Sequence, residues 1–115
     1  MEGSYFISDL RARATFSPAK PTKQDVFRSG QLFVGLNCLA RGQSQDVHLH
    51  EAMDKFYLVV SGKARIIIGS ETREISTGGM AWAPAGVPHG VESALEDTVL
   101  LVSMAPPPKT VKSAE

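Results

Sequence analysis

The sequence predicts an all-β fold, a sandwich or barrel of short strands. Three observations carry this. Turn-forming residues recur at intervals of about 8–12 residues, at Gly30, Gly42, Ser61-Gly62, Gly69-Ser70, Gly78-Gly79 and Pro84-Ala85-Gly86. The runs between them are rich in β-branched and aromatic residues, which suit a pleated, half-buried surface. No long stretch has a helical period; residues 9–14 suit only one helical turn, capped by Ser8 or Asp9.

Taken in order, residues 1–30 read as an N-terminal arm and a first edge strand, punctuated by Pro18 and Pro21. The arm is expected to pack on the barrel or on a partner subunit. Residues 31–105 form the β-barrel domain, with strands expected near 31–39, 47–50, 55–60, 64–68, 73–75, 80–83, 90–92 and 98–104. Ile66-Ile67-Ile68 and Val99-Leu100-Leu101-Val102 are continuously apolar, as in strands covered on both faces. The chain between Ile66 and Ile75 turns through Gly69-Ser70-Glu71 and reads as a hairpin. Phe33, Phe56, Met80 and Met104 are read as packing residues, Trp82 as core rather than site, and residues 66–68 as core or dimer interface. Residues 106–115, opening on Pro106-Pro107-Pro108, read as a disordered polar tail.

Composition narrows the function. The 115 residues carry 12 basic and 12 acidic side chains, a net charge of zero. A protein that binds nucleic acid by neutralising phosphates shows a basic excess, so that class is excluded. At 43% apolar, the chain can build one core and is unlike a disordered segment. The single cysteine, Cys38, excludes an internal disulfide; in the run Leu36-Asn37-Cys38-Leu39 it reads as a small buried hydrophobe. No apolar run is long enough to span a membrane, and the start lacks the pattern of a signal peptide. The expected setting is cytoplasmic.

The chemistry lies in the histidines. His48 and His50 stand at i and i+2, which on a strand turns both imidazoles to one face. Alone, that pair is a weak signal, since surface histidines are common. His89 adds to it. It follows Pro84-Ala85-Gly86-Val87-Pro88, where Pro84 and Gly86 set a tight turn and Pro88 stiffens the approach. A rigid backbone before a ligand preorganises a site. All three histidines of the chain then belong to one constellation.

At these residues the sequence resembles the small single-domain cupins. Their first motif is a glycine, five residues, H-x-H, three or four residues, a glutamate, six residues and a glycine. Here it falls on Gly42, His48-Leu49-His50, Lys55 and Gly62. Their second motif is a glycine, five residues, P-x-G, two residues, a histidine, three residues and an asparagine. Here it falls on Gly78, Pro84-Ala85-Gly86, His89 and Ser93. The resemblance covers residues 42–93 and implies a cupin-type double-stranded β-helix, a jelly-roll barrel. It also implies that His48, His50 and His89 hold a divalent transition metal inside the barrel. Imidazoles accept iron, manganese, zinc, nickel or copper.

Two positions depart from the family. Ser93 replaces an asparagine and is a minor change at a strand end. Lys55 replaces the glutamate ligand, which puts an ammonium where a carboxylate belongs. Three outcomes are open. Lys55 turns away and pairs with Glu51, Asp54 or Glu92, leaving a three-histidine site. Its pKa falls by desolvation and it becomes a neutral ligand or base. Or the metal is absent and the cavity holds an anionic or polar small molecule. Strand alternation places Tyr57 and Val59 on the face of Lys55. Tyr57 is either a hydrogen-bond donor to a ligand or a core tyrosine with its hydroxyl at the barrel mouth. Lys55 and Tyr57 are the candidate catalytic residues; beside a three-histidine metal, Lys55 is read as a group that holds a substrate carboxylate or enolate.

The resemblance implies an oxygenase or isomerase acting on a small organic molecule at a mononuclear metal. The alternatives are a module that holds a ligand or metal without turnover, metal-free if Lys55 displaces it, and a structural barrel whose cavity has lost its role. A short jelly roll leaves sheet edges and apolar faces open, so a homodimer through one sheet is expected.

Overall fold

The computed structural model describes residues 5–109; residues 1–4 of the expected arm and 110–115 of the expected tail lie outside them. The described chain is two antiparallel sheets facing each other. Its strands are β1 (Thr22–Arg28), β2 (Phe33–Leu39), β3 (Gln45–His48), β4 (Asp54–Ser61), β5 (Lys63–Ile68), β6 (Glu71–Ser76), β7 (Met80–Ala83), β8 (His89–Ala94) and β9 (Thr98–Ala105). One sheet runs β1-β2-β9-β4-β7 and the other β3-β8-β5-β6. Neighbours in each sheet are mostly distant in sequence, the mark of a jelly roll. The predicted all-β double-stranded β-helix is therefore what the chain forms.

Alternation builds the core. Along β4 every second side chain from Lys55 is buried: Lys55, Tyr57 and Val59. In β9, Leu100 and Val102 point the same way and pair across from Val59 and Tyr57. With Ile66 of β5 and Val91 of β8 they fill the space between the sheets. A second apolar cluster lies on the outer face of the larger sheet. There Leu36, Cys38 and Val99 are covered by Ile7, Leu10 and Ala14 of the arm. The arm thus packs on the barrel, and Cys38 is the buried small hydrophobe that its neighbours imply. A single 3-10 turn, Leu10–Arg13, starts where Asp9 accepts the Arg11 backbone N–H at 3.0 Å. The hairpin between β5 and β6 closes through Gly69-Ser70, with Ile68 opposite Glu71.

Two expectations about packing are corrected. Trp82 is not core but 64% exposed, and Met80 is 57% exposed. The cause is alternation in Met80-Ala81-Trp82-Ala83: Ala83 and Ala81 take the inner face, so the two large residues face outward. Phe33 is buried and Met104 packs against the core as expected. At the far end, the Arg28 guanidinium donates to the Pro108 carbonyl at 3.0 Å.

Candidate metal centre

A bulge aims His48. In the β3–β8 pair, Gln45 lies opposite Val91 and His48 opposite His89. Three steps along β3 therefore match two along β8, the signature of one extra residue. Without it, alternation from Gln45 would turn His48 away from the face of Val91 and His89. With it, His48 faces His89 directly. Gly90 makes the bulge possible: a Cβ there would lie 2.9 Å from the Gln45 carbonyl oxygen and 3.0 Å from Val47 N and Cα. His50 lies two residues beyond His48, past the end of the strand, and its ring still converges on the same place. The expected strand 47–50 is thus Gln45–His48, which moves the element but keeps the convergence.

His89 is placed by the turn before it. Val87 N–H donates to the Pro84 carbonyl at 3.0 Å, and Gly86 sits at φ 85°, the left-handed geometry of a type II turn. The turn is tied down on two sides. Gly86 N–H donates to the His50 carbonyl at 2.9 Å, and Ala85 N–H donates to Asp54 Oδ1 at 2.9 Å. Gly69 N–H donates to the Pro88 carbonyl at 2.8 Å. The segment carrying His89 is thus hydrogen-bonded directly to the segment carrying His50.

The result is three imidazoles with ring centroids 4.4 Å (His48–His89), 4.9 Å (His48–His50) and 5.3 Å (His50–His89) apart. One ligating nitrogen from each lies within 4.8 Å of the others. His89 is buried, His50 half-buried and His48 exposed, so the cluster sits where the barrel opens. His48 Nδ1 lies 3.0 Å from the Asp46 carbonyl oxygen, and His89 Nδ1 3.0 Å from that of Val87. A carbonyl can only accept, so Nδ1 carries the proton in both rings and Nε2 keeps its lone pair. Desolvation is the main force lowering the pKa of His48 and His50. His89 falls to about 4, first by desolvation, with the Lys55 charge adding to it against the Val87 hydrogen bond. The three rings are therefore neutral at pH 7.

These residues fit a transition metal. The test is His89 Nε2, a buried nitrogen with no hydrogen-bond partner. Three converging neutral rings, two of them held at Nδ1 by backbone carbonyls so that Nε2 keeps its lone pair, are the donor set such an ion takes.

Lys55 does not turn away. Only 5% of it is exposed, and it forms no ion pair among the described residues. The expected partners are otherwise engaged or remote: Asp54 accepts from Ala85, Glu92 binds Arg65 at 2.8 Å, and Glu51 is exposed. Lys55 Nζ instead lies 4.8 Å from the centroid of the Tyr57 ring, a cation–π contact. Burial, helped by the Lys23 charge, lowers its pKa to about 8, which leaves it largely protonated at pH 7. Tyr57 is fully buried, its ring centroid 6.2 Å from that of His89. Its hydroxyl is not at the barrel mouth: it is buried and has no partner. Burial raises its pKa, so it stays a neutral O–H donor. Leaving such a group unpaired costs about 1–3 kcal/mol. Gln45 adds another buried, unpartnered side-chain nitrogen, on the strand that carries His48.

Reading the sequence alone misses Gln45, Asp54 as the anchor of the turn, and Gly90. Only Gly90 leaves a signal, a glycine directly after a candidate ligand on a strand.

Comparison with known proteins agrees with this fold. A family profile described as a cupin domain matches residues 35–104. An uncharacterised protein of Streptomyces coelicolor is 39% identical over 80 residues, 70% of this chain and 75% of that one. A crystal structure from Thermus thermophilus aligns with a TM-score of 0.83 at 40% identity, covering 89% of this chain and 98% of the other. The structure of KdgF from a Halomonas species aligns at 0.80 with 25% identity, covering 94% and 97%. The two sheets, the paired motifs and the three converging histidines have one common explanation: this chain belongs to the cupin domain family.

Proposed function

We propose that this protein binds one divalent transition metal through His48, His50 and His89 and acts with it on a small organic molecule, as an oxygenase or an isomerase. The observation that carries the reading is the buried, unpartnered Nε2 of His89, facing two further neutral imidazoles. When bound, the metal supplies a Lewis acid or redox centre with positions open to substrate. The chain's own residues do the rest. Backbone carbonyls of Asp46 and Val87 hold His48 and His89 in the right tautomer. Lys55 and Tyr57 present an ammonium and a hydroxyl to the bound molecule. Val59 of β4 and Leu100 and Val102 of β9 give the interior beside them its apolar lining.

The expected result on chelator-treated protein reloaded in turn with iron(II), manganese, zinc, nickel and copper is one metal per chain by mass spectrometry. It is lost in His89→Ala. No stoichiometric binding of any of the five overturns the reading. Oxygen uptake against a panel of small organic acids separates an oxygenase from an isomerase or a non-catalytic binder.

We also infer a homodimer through the larger sheet. Its support is β7, an edge strand that exposes Met80 and Trp82 beside the half-buried Phe56 and Leu58 of β4. An apolar edge of this kind is normally covered.

A further inference from the structure

Two polar side chains inside the barrel have no hydrogen-bond or ion-pair partner among the described residues. Lys55 is 95% buried by its 5% exposure, and it meets no carboxylate among the described residues. Tyr57 is 0% exposed, and its hydroxyl has no partner. Buried charges in folded proteins are paired, and buried hydroxyls are hydrogen-bonded, because water is not there to solvate them. Here a cation and an O–H donor are left unpaired together, two residues apart on one face of β4. Both lack the same thing, an acceptor oxygen, and Lys55 also lacks a negative charge.

The immediate cross-strand neighbours offer no acceptor of their own. Across β4, Lys55 lies between Ala83 of β7 and Met104 of β9, and Tyr57 between Ala81 and Val102. Small alanine side chains line the β7 side, and apolar side chains the β9 side. Nothing acidic competes among these neighbours. The ammonium also stands on the ring face of Tyr57, which fixes the two donors relative to each other. The pair lies next to the histidine cluster, since the Tyr57 ring is edge-on to His89.

The geometry points to a carboxylate-binding subsite formed by Lys55 Nζ and Tyr57 Oη, so that the molecule this site takes is a small organic acid with an apolar body. The inference rests on the proposed site but not on its metal: an ammonium and a phenol hydroxyl bind a carboxylate whether or not the histidines are loaded. It gives Lys55, the departure from the family pattern, a specific task. A glutamate at that position would repel the same ligand.

The test uses the full chain, chelator-treated, with propionate as probe and propionamide as its neutral counterpart of the same shape. Binding is read by calorimetry and by the NMR signal of the Lys55 ε-methylene in lysine-labelled protein. Propionate is expected to bind and to shift that signal, and propionamide to do neither. Lys55→Met is expected to weaken propionate at least tenfold, and Tyr57→Phe about fivefold. Equal binding of the two probes, an unmoved Lys55 signal, or unchanged affinity in Lys55→Met overturns the subsite. Should a variant not fold, the comparison of the two probes on the wild-type chain decides alone. The metal count on the same preparations keeps the two readings apart. Metal binding with no response at Lys55 removes this inference and leaves the metal site. A Lys55 response with no metal under any loading removes the metal site and leaves this inference.

Discussion

The backbone of Val47 packs directly against Gly90, where any side chain would crowd it. A Cβ on Gly90 would lie 3.0 Å from Val47 N and Cα and 2.9 Å from the Gln45 carbonyl oxygen. That contact holds the extra residue of β3 in place and so turns His48 toward His89.

Gly90→Ala is therefore expected to disturb the metal centre more than the fold. Backbone atoms cannot move aside as a flexible side chain does, so the bulge must shift. Overpacking of this sort costs about 1–3 kcal/mol. Calorimetric metal titration should show at least a tenfold loss of affinity, with the circular dichroism spectrum kept. Wild-type affinity in this variant would mean the bulge does not aim His48.

Lys55 gives the stability of the metal-free protein a pH dependence of known sign. Its pKa is about 8 in the fold against 10.5 when free. Between these values the unfolded chain holds a proton that the folded chain has released, so stability rises with pH across that window. Below pH 8 the buried ammonium is charged and its cost is fully present. Lys55→Met removes that cost, about 3 kcal/mol for a shift of this size. Urea denaturation should find the variant more stable than wild type at pH 7, with the gap closing toward pH 10.5. A gap that stays constant or widens would mean Lys55 is not the buried cation described.

Tyr57→Phe separates stability from binding. The hydroxyl it removes is buried and unpaired, so the empty fold loses nothing by its deletion. The apoprotein should melt at the wild-type temperature or above it, by up to about 1 kcal/mol in stability. A clear fall in melting temperature would show that the hydroxyl has an unseen structural partner.

Trp82 is the test of assembly. At 64% exposure on an edge strand, it should lie inside the contact between two copies. Light scattering should give twice the chain mass for wild type and a single chain mass for Trp82→Glu, with the fold retained. A wild-type monomer at working concentration removes the homodimer.

Much of this protein was legible in its sequence because it rests on local chemistry. Turn residues at regular spacing announce short strands. The Pro84-Ala85-Gly86 turn needs a positive φ at its third residue, and Gly86 supplies it. The three histidines were legible as one constellation from the H-x-H pair, the rigid turn before His89 and the cupin motifs they match. What sequence could not decide depends on register and on burial from afar. One extra residue in β3, fixed by its pairing with β8, sets which way His48 faces, and a single chain read in isolation carries no pairing. Trp82 looks like core by composition and faces outward, because alternation with two alanines outweighs hydrophobicity. For Lys55 the sequence showed a cation where the family has a carboxylate and left its orientation open. Whether it escapes to solvent depends on which carboxylates come near it, and Asp54 and Glu92 are held elsewhere by Ala85 and Arg65. The sequence alone determined the fold class and singled out the three histidines, since both are written in residue types and spacings. The tertiary structure alone decided that the lysine points inward unpaired, since charge pairing inside a barrel is settled by strands far apart in the chain.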